Sequence, residues 1–343
     1  WLWAHETMEP AALKKFFPTS VLVTGPDIIF FWVARMIMAS LEYTGEIPFR
    51  DVYFTGIIRD KQGRKMSKSL GNSPDPLDLI AKFGADGIRF GLLRIAPQGQ
   101  DIKFDEQQIV EGRNFCNKLW NACRFRQMQG PLDPQADPSK HELSLFAQDL
   151  LARLDATIRR VNEGYEAYKF SDIAQALYDF VWGDFCDRFI EVAKSDFAVD
   201  SPRRAGTLAT LDYTIKRILQ LLHPYAPFIT EELWSGLGFG TESIMFSGWP
   251  EPATFAADPR SEAVFTAVST SRNLRATYGI QGNRRLPWQL APAADWVKNE
   301  LPVLSNLLYA ESITICEKAP VGHAACPTDL GTIYLPLEGI IDA

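Results

Sequence analysis

The periodicity of the apolar residues changes at Glu106, and this change separates regions that must fold in different ways. Between Val21 and Leu93, short β-branched runs alternate with helix-like segments, which is typical of a parallel α/β sheet. From Glu106 onwards, long amphipathic segments follow one another with little sign of strands, which predicts a helix bundle. After residue 250 a helix-like segment and short strand-like runs return. We therefore predict an α/β region at 1–105, a helix bundle at 106–250 and a small α/β unit at 251–343.

Within the α/β region, capping and turn residues predict where individual strands and helices begin and end. "SVLVTG" predicts a buried strand, and the next segment predicts one helix that Asp27 caps and Gly45 ends. The apolar run Ile28–Met38 is too short to cross a bilayer and predicts a helix buried in a large core. "VYFTGII" predicts a second strand, Asp60–Gly63 a turn, and "RKMS" a returning strand. Because ligands bind at the carboxyl ends of parallel strands, the loops after the two strands should border one crevice.

The second of these loops, "DKQGRKMSKSLGN", concentrates positive charge in a chain whose net charge is −7. The acidic balance argues against a protein that coats nucleic acid by bulk charge, although a local basic patch can still bind an anion. Lysines, serine hydroxyls and a glycine together suit a mobile clamp for a polyphosphate. The charge alone is more typical of a solvated hairpin tip, and the order of a P-loop is absent.

The order of residues in this loop resembles the signature of a known enzyme class. "KMSKS", Lys65 to Ser69, is similar to the signature loop of the class I aminoacyl-tRNA synthetases. "FPTSVLVTGPDIIFFWVARMIM", "GADGIRFGLL", "GRNFCNKLWNACRF" and "HPYAPFITEELW" extend the resemblance, in order, to the valyl-tRNA synthetases over essentially the whole chain. The resemblance implies the C-terminal part of a Rossmann-like nucleotide-binding fold, then an anticodon-binding helix bundle and a small α/β unit. An isoleucyl or leucyl synthetase, or a tRNA-binding protein without catalysis, is the alternative.

The resemblance implies ATP-dependent activation of valine, with Mg²⁺ on the phosphates, and transfer of the valyl group to tRNA(Val). Lys68 would be the principal phosphate contact with Lys65 in support, and Gly25 and Asp27 would meet the adenosine ribose. Trp32 would form a wall of the valine pocket, where core packing is the alternative; for Asp27 the alternative is the helix cap. The residues of the ATP-binding loop in this interpretation are Lys65, Met66, Ser67, Lys68 and Ser69.

The first long helix of the bundle carries basic residues on or near its polar side, which could follow tRNA phosphates. An ordinary solvated helix face is the alternative. The basic residues in question are Arg113, Lys118, Arg124 and Arg126. A second, weaker candidate patch lies in the C-terminal unit and comprises Arg272, Arg275, Arg284 and Arg285.

Two further features bear on function. Cys316, His323 and Cys326 lie close together but lack a partner Cys-x-x-C, and five irregularly spaced cysteines are typical of reduced thiols, so we expect no metal site. None of the four histidines lies in the second class I signature, His-x-Gly-His. We therefore expect a C-terminal portion of a monomeric cytoplasmic enzyme, inactive by itself, that binds tRNA but neither DNA nor membranes.

Overall fold

The computed structural model describes residues 10–198 and 201–337, which divide into two compact units. The first unit contains the described residues up to Cys116 together with Arg160–Ala176. The second contains Asn117–Arg159 and the described residues from Leu177 onwards. Within the described ranges, no helix has the length and apolar character that crossing a membrane requires.

The first unit contains two pairs of parallel strands and the helices between and beside them. One pair is β1 with β2, and the other is β3 with β4. Helix α5 starts in this unit and continues into the second. The elements are α1 (Pro10–Phe16), β1 (Thr19–Thr24), α2 (Ala34–Thr44), β2 (Phe49–Phe54), β3 (Ile58–Arg59), α3 (Pro76–Phe83), α4 (Ala85–Arg94), β4 (Ile102–Lys103) and α5 (Glu106–Gln127).

The strand predicted at "VYFTGII" is interrupted, so the prediction of one continuous strand was wrong. β2 ends at Phe54, and the chain resumes as β3 with a different partner strand. A Cβ atom on Gly56 would lie 1.7 Å from the carbonyl oxygen of Gln100, so two backbone segments pass against each other at the break. The predicted returning strand is reduced to a single bridge between Arg59 and Lys65, whereas the turn after Asp60 is confirmed.

The helix predicted after β1 is confirmed at its end but not at its start or in its burial. It ends at Gly45, which takes a φ of 72°. It begins with a 3₁₀ turn at Pro26–Ile28 and a π-helical segment at Ile29–Val33, and Asp27 makes no capping hydrogen bond. The prediction of a buried helix was wrong, because Phe30 and Phe31 are 83% and 70% exposed. β1, predicted to be buried, is only partly so: Val23 is 57% exposed, whereas Thr24 is buried.

Glycines bring α4 and α5 into close contact. A Cβ atom on Gly112 would lie 2.2 Å from the carbonyl oxygen of Gly87 and 2.9 Å from the amide nitrogen of Gly91. Next to this crossing, the buried rings of Phe90 and Phe115 stack with centroids 4.2 Å apart. The repeated glycines of "GADGIRFGLL" therefore let two helix backbones approach where any side chain would collide.

The predicted helix bundle is confirmed in the next part of the chain. Its helices are α6 (Leu145–Glu166), α7 (Phe170–Tyr178), α8 (Ile190–Ala198), α9 (Arg204–Leu222) and α10 (Pro227–Leu237), with a π-helical segment at Asp179–Phe189 between α7 and α8. The prolines of "HPYAPFITEELW" separate two helices, because α9 ends before His223-Pro224 and α10 begins at Pro227. The buried core of the second unit includes Leu151, Leu154, Val181, Ile218 and Leu219, each with an exposed fraction of 0%.

The turn between α6 and α7 belongs to the first unit. There the hydroxyl of Tyr168 donates a hydrogen bond to Asp51, at 3.2 Å, and the rings of Tyr53 and Phe170 meet edge to face at 5.3 Å. These contacts attach the turn to the end of β2.

The last part of the second unit is a helix-flanked four-stranded sheet. The strand order is β6-β5-β8-β7, with β5 and β6 parallel and β8 antiparallel to both of its neighbours. The sequence predicted the first helix and three strands but not α12 and β7. The elements are α11 (Arg260–Thr277), β5 (Leu286–Pro292), α12 (Leu301–Leu307), β6 (Ala310–Ile315), β7 (His323–Thr328) and β8 (Gly331–Pro336). The sheet and the bundle belong to the same compact unit, and the boundary at residue 250 stays a prediction.

Candidate functional site

The structure brings together the two loops that the sequence predicts to share a crevice. Lys65, in the signature loop, donates a hydrogen bond of 3.0 Å to a carboxylate oxygen of Asp27, in the turn after β1. The hydrogen bond and the positive charge of Lys65 lower the pKa of Asp27. The two side chains remain 62% and 48% exposed, so the pair lies at the surface and within reach of a ligand.

Gly25 and Trp32 lie on either side of Asp27 in the sequence, and each has a distinct environment. A Cβ atom on Gly25 would lie 2.8 Å from a carboxylate oxygen of Asp27, so a side chain there would displace the carboxylate. Trp32 lies in the π-helical segment and is 43% exposed, which argues against the alternative that it is a core residue. Its role as a pocket wall stays a prediction.

Asp60 organises the base of the signature loop, and the sequence analysis did not identify it as a site residue. Its carboxylate accepts hydrogen bonds from the backbone amides of Gln62 and Arg64, at 3.0 and 2.8 Å. It also accepts from the Arg64 side chain and from the Asn72 side chain, at 2.7 and 2.9 Å. The hydrogen bond from Asn72, together with those from Arg64, lowers the pKa of Asp60 to about 2. A nearly buried, fully ionised carboxylate thus fixes the turn.

Asn72 connects the two ends of the loop. Its Oδ1 accepts from the backbone amide of Ser67 at 2.9 Å, while its Nδ2 donates to Asp60 and, at 3.4 Å, to the carbonyl of Lys65. The side chain therefore bridges the segment before the signature and the segment within it. An asparagine five residues after a loop serine, in "SKSLGN", is the only sequence signal of this bridge, and its meaning depends on the three-dimensional turn.

The remaining signature residues are arranged around this bridge. The hydroxyls of Ser67 and Ser69 lie 3.1 Å apart, and the hydroxyl of Ser67 accepts from the backbone amide of Leu70 at 3.3 Å. Met66 is half-buried. The backbone of Lys68 begins a short 3₁₀ turn, but its side chain lies outside the described part of the chain, so its proposed phosphate contact stays a prediction.

Of the four basic residues predicted to contact tRNA, Arg126 was a wrong prediction. It is 1% exposed and forms an ion pair of 2.6 Å with the buried Asp212, because the chain folds back over the end of α5. Lys118 is paired with Asp187 and lies 3.9 Å above the ring of Trp182. Arg113 and Arg124 are exposed, and their contact with tRNA stays a prediction.

The second basic patch likewise contains a buried arginine. Arg275 is 3% exposed and donates to the backbone carbonyls of Leu308, Gln281 and Arg284, so it supports the fold and cannot reach a ligand phosphate.

Cys326, from the weak metal motif, is buried and accepts a hydrogen bond from Ser271. No group of three or more metal-ligating side chains occurs among the residues that the structure describes.

Two family models match this chain, one in its first part and one in the region of the helix bundle. Residues 2–105 match the model described as tRNA synthetases class I (I, L, M and V). Residues 147–290 match the anticodon-binding domain of tRNA ligase. The chain belongs to the class I tRNA synthetases. The predicted fold class is therefore confirmed, with a class I synthetase region followed by a helical anticodon-binding domain.

The chain is similar to valine–tRNA ligases over 99% of its length. It is 38% identical to the enzyme of Listeria innocua serovar 6a, 39% to that of Cereibacter sphaeroides ATCC 17023 and 38% to that of Bacillus subtilis strain 168. The chain spans only 41%, 35% and 40% of the length of these relatives.

Solved structures agree with the fold. The Mycobacterium tuberculosis methionyl-tRNA synthetase, in complex with methionyl-adenylate, matches with a TM-score of 0.56 and 25% identity, over 74% of this chain and 52% of that one. The LeuRS of Agrobacterium radiobacter K84, in a ternary complex with tRNA and LeuAMS, matches with a TM-score of 0.54 and 22% identity, over 74% of this chain and 30% of that one. The second likeness concerns the fold alone.

Proposed function

We propose that this chain is the portion of a cytoplasmic valine–tRNA ligase that contains the signature loop and the anticodon-binding domain. Its reaction is the ATP-dependent activation of valine and the transfer of the valyl group to tRNA(Val). The contact of Lys65 with Asp27 carries the proposal, because it joins a phosphate-binding type of loop to a carboxylate suited to ribose hydroxyls. The similarity to valine–tRNA ligases over 99% of the chain supports the choice of amino acid.

In the proposed first step, a carboxylate oxygen of valine forms a bond to the α-phosphorus of ATP. The bond from that phosphorus to the bridging oxygen breaks, and pyrophosphate leaves with the electron pair. Negative charge grows on the leaving group and on the α-phosphoryl oxygens, which is where Lys68 and Lys65 would donate. Asp27, released from Lys65, would accept from the ribose hydroxyls, and Trp32 would bound the valine side chain.

In the proposed second step, a hydroxyl of the terminal ribose of tRNA(Val) attacks the carbonyl carbon of the adenylate, and AMP leaves. The cofactor of the first step is Mg²⁺, which neutralises phosphate charge when it is bound. In this proposal the phosphates of ATP would hold the ion, which is how Mg²⁺ is usually bound at nucleotide sites. The lysines of the exposed loop would add to this neutralisation and hold the nucleotide in position.

The proposal is tested by amino-acid-dependent exchange of pyrophosphate into ATP, with the full-length protein that carries the chain. Exchange should depend on valine and should be much weaker with isoleucine or leucine. Exchange dominated by isoleucine or leucine would replace valine in the proposal with that amino acid. Absence of exchange with all three, together with retained tRNA binding, would favour the tRNA-binding protein without catalysis.

A further inference from the structure

A cavity of about 360 Å³ lies in the second unit, away from the signature loop in the sequence. It opens where α8, α11 and α12 meet the start of β6. Its volume falls in the roughly 300–1,000 Å³ range of pockets for small organic groups. The side chains that matter for the argument are Lys194, Ser195, Arg272, Arg285 and Tyr309.

The lining of this cavity is positively charged although the chain is acidic. Three of its residues are cationic and one, Glu191, is acidic and already paired with Lys194 at 2.6 Å. Arg272 donates to the backbone carbonyl of Leu307 at 2.7 Å, which fixes the direction of its guanidinium. Arg285 is exposed and immediately precedes β5. Two arginines, one on α11 and one directly before β5, thus line one cavity, an arrangement suited to a phosphate group.

A buried hydroxyl adds an independent indication of a ligand. The Oγ atom of Ser195 is buried and has no hydrogen-bond partner among the described residues. A buried polar group without a partner is costly, so a ligand that supplies the missing hydrogen bond gains affinity. The hydroxyl can both donate and accept, and it is therefore compatible with a phosphate oxygen or a ribose hydroxyl.

Tyr309 supplies an aromatic surface at the same cavity. It is 52% exposed and takes a left-handed φ of 50°, directly after the end of α12. Glycine is the usual residue at such a position, and a tyrosine there strains the backbone. The ring is thus held in the cavity wall at an energetic cost, which burial of the ring does not offset.

We propose that this cavity binds one unpaired nucleotide of the tRNA anticodon loop. Arg272 and Arg285 bind its phosphate, the hydroxyl of Ser195 forms a hydrogen bond with a phosphate oxygen or the ribose hydroxyl, and the base stacks on Tyr309. An unpaired nucleotide is favoured because a base inside an RNA duplex cannot reach an aromatic ring. The inference rests on the proposed function for the identity of the RNA, and the cavity residues 194, 195, 272 and 285 lie within the matched anticodon-binding model.

The test uses the full chain and a fluorescent RNA hairpin with the sequence of the tRNA(Val) anticodon stem and loop. Arg285→Ala and Tyr309→Ala should each weaken hairpin binding about tenfold. Arg285→Ala should also reduce the slope of log affinity against log salt by about 0.7, whereas Tyr309→Ala should leave that slope unchanged. Lys318→Ala is the matched control, because Lys318 is exposed beyond the far end of β6 and does not line the cavity.

Two substitutions separate a binding role from a structural one. Tyr309→Phe keeps the ring and should retain binding, whereas Tyr309→Gly relieves the backbone and should raise the melting temperature while binding falls about tenfold. If Arg285→Ala and Lys318→Ala bind the hairpin equally, or Tyr309→Gly binds like the unsubstituted chain, the proposal is wrong.

Two more measurements identify the source of the ligand and separate this proposal from the proposed function. AMP and inorganic phosphate are added as competitors; displacement of the hairpin by either one below millimolar concentration would make the cavity a site for free anions and overturn the proposal. Valine-dependent exchange does not use tRNA, so it is scored separately. If exchange depends on valine but the cavity variants bind the hairpin normally, this inference alone is wrong. If the cavity variants lose hairpin binding but exchange does not depend on valine, the proposed function alone is wrong.

Discussion

One ion pair in each unit shows two opposite ways of holding a basic residue. In the signature loop, Lys65 pairs with Asp27 at the surface, where both side chains are about half exposed. In the second unit, Arg126 pairs with Asp212, and each side chain is 2% exposed. An exposed pair is worth about 0–1 kcal/mol and can be exchanged for a ligand, whereas a buried pair is fixed because each charge would be stranded without the other. Burial of the partner, more than the charge itself, separates a basic residue that can bind from one that supports the fold.

The largest effect should follow from breaking the buried pair. Arg126→Met leaves the carboxylate of Asp212 buried without its cation, and the free energy of unfolding should fall by about 3–5 kcal/mol. Urea unfolding of the chain, followed by circular dichroism, measures this change. Arg124→Met is the control on the same helix, with an exposed side chain and an expected change within about 0.5 kcal/mol. Equal losses in the two variants would contradict the distinction.

A second substitution sharpens this prediction. The double variant Arg126→Met/Asp212→Leu removes both charges, so it should recover most of the stability that the single variant loses. Failure to recover would mean that the other hydrogen bonds of Arg126, to the carbonyls of Gly130 and Pro131, account for the loss instead.

The next largest effect concerns the exposed loop and appears in the rate, with stability unchanged. In the full-length protein, Lys68→Ala should lower valine-dependent pyrophosphate exchange by about 10²–10³-fold, because one charge-assisted contact of the transition state is lost. Lys61→Ala is the control: Lys61 lies in the same loop, pairs with Asp105 and is outside the signature. An exchange rate near normal in Lys68→Ala would remove that lysine from the mechanism.

A smaller effect should follow from removing the bridge at the base of the loop. Asn72→Ala should lower exchange about tenfold, because the loop lysines lose their position while their charges remain. Asn114→Ala, an exposed asparagine on α5, should leave exchange unchanged. A rate equal to that of the unsubstituted protein would show that other contacts suffice to position the loop.

The same substitution should change the titration of Asp60. Because its folded pKa of about 2 is lowered from the ordinary value, Asp60 stabilises the folded loop above about pH 4 and loses this effect as pH falls towards 2. In Asn72→Ala the pKa should rise, since the largest cause of the lowering is removed. The ¹³C chemical shift of the Asp60 carboxyl measures both values, and an unchanged pKa would contradict the assigned cause.

The smallest effect is expected on the exposed apolar helix of the first unit. Phe30→Ser should change the free energy of unfolding by no more than about 0.5 kcal/mol, because the ring is already 83% exposed. Phe90→Ser, in the same unit but at 0% exposure, should cost more than about 3 kcal/mol. A large loss in Phe30→Ser would show that this face is covered in solution.

The sequence was a good guide where a residue acts through its neighbours in the chain. The ends of α2 and α9 follow from Gly45 and from the prolines after His223, because these residues constrain the local backbone. The class of the fold follows from the change of periodicity at Glu106 and from the signature phrases.

It was a poor guide where the result depends on residues that are distant in the chain. The apolar phrase around Phe30 predicts burial, but periodicity does not reveal whether another element covers it. Arg126 has the spacing of a surface residue, and only the return of the chain brings Asp212 over it. The bridge from Asn72 to Asp60 likewise depends on a turn whose partners are 12 residues apart.

The resting contact between Lys65 and Asp27 has a consequence for competition among anions. In this ion pair each charge neutralises the other, so a ligand that separates them must compensate both groups or leave one of them unpaired. Inorganic phosphate can replace the carboxylate at Lys65, but its own negative charge repels the carboxylate of Asp27. A nucleotide replaces both partners at once, with its phosphates at the lysine and its ribose hydroxyls at the carboxylate. Under the proposed function, this surface ion pair makes the site selective: it binds nucleotides in preference to simple anions.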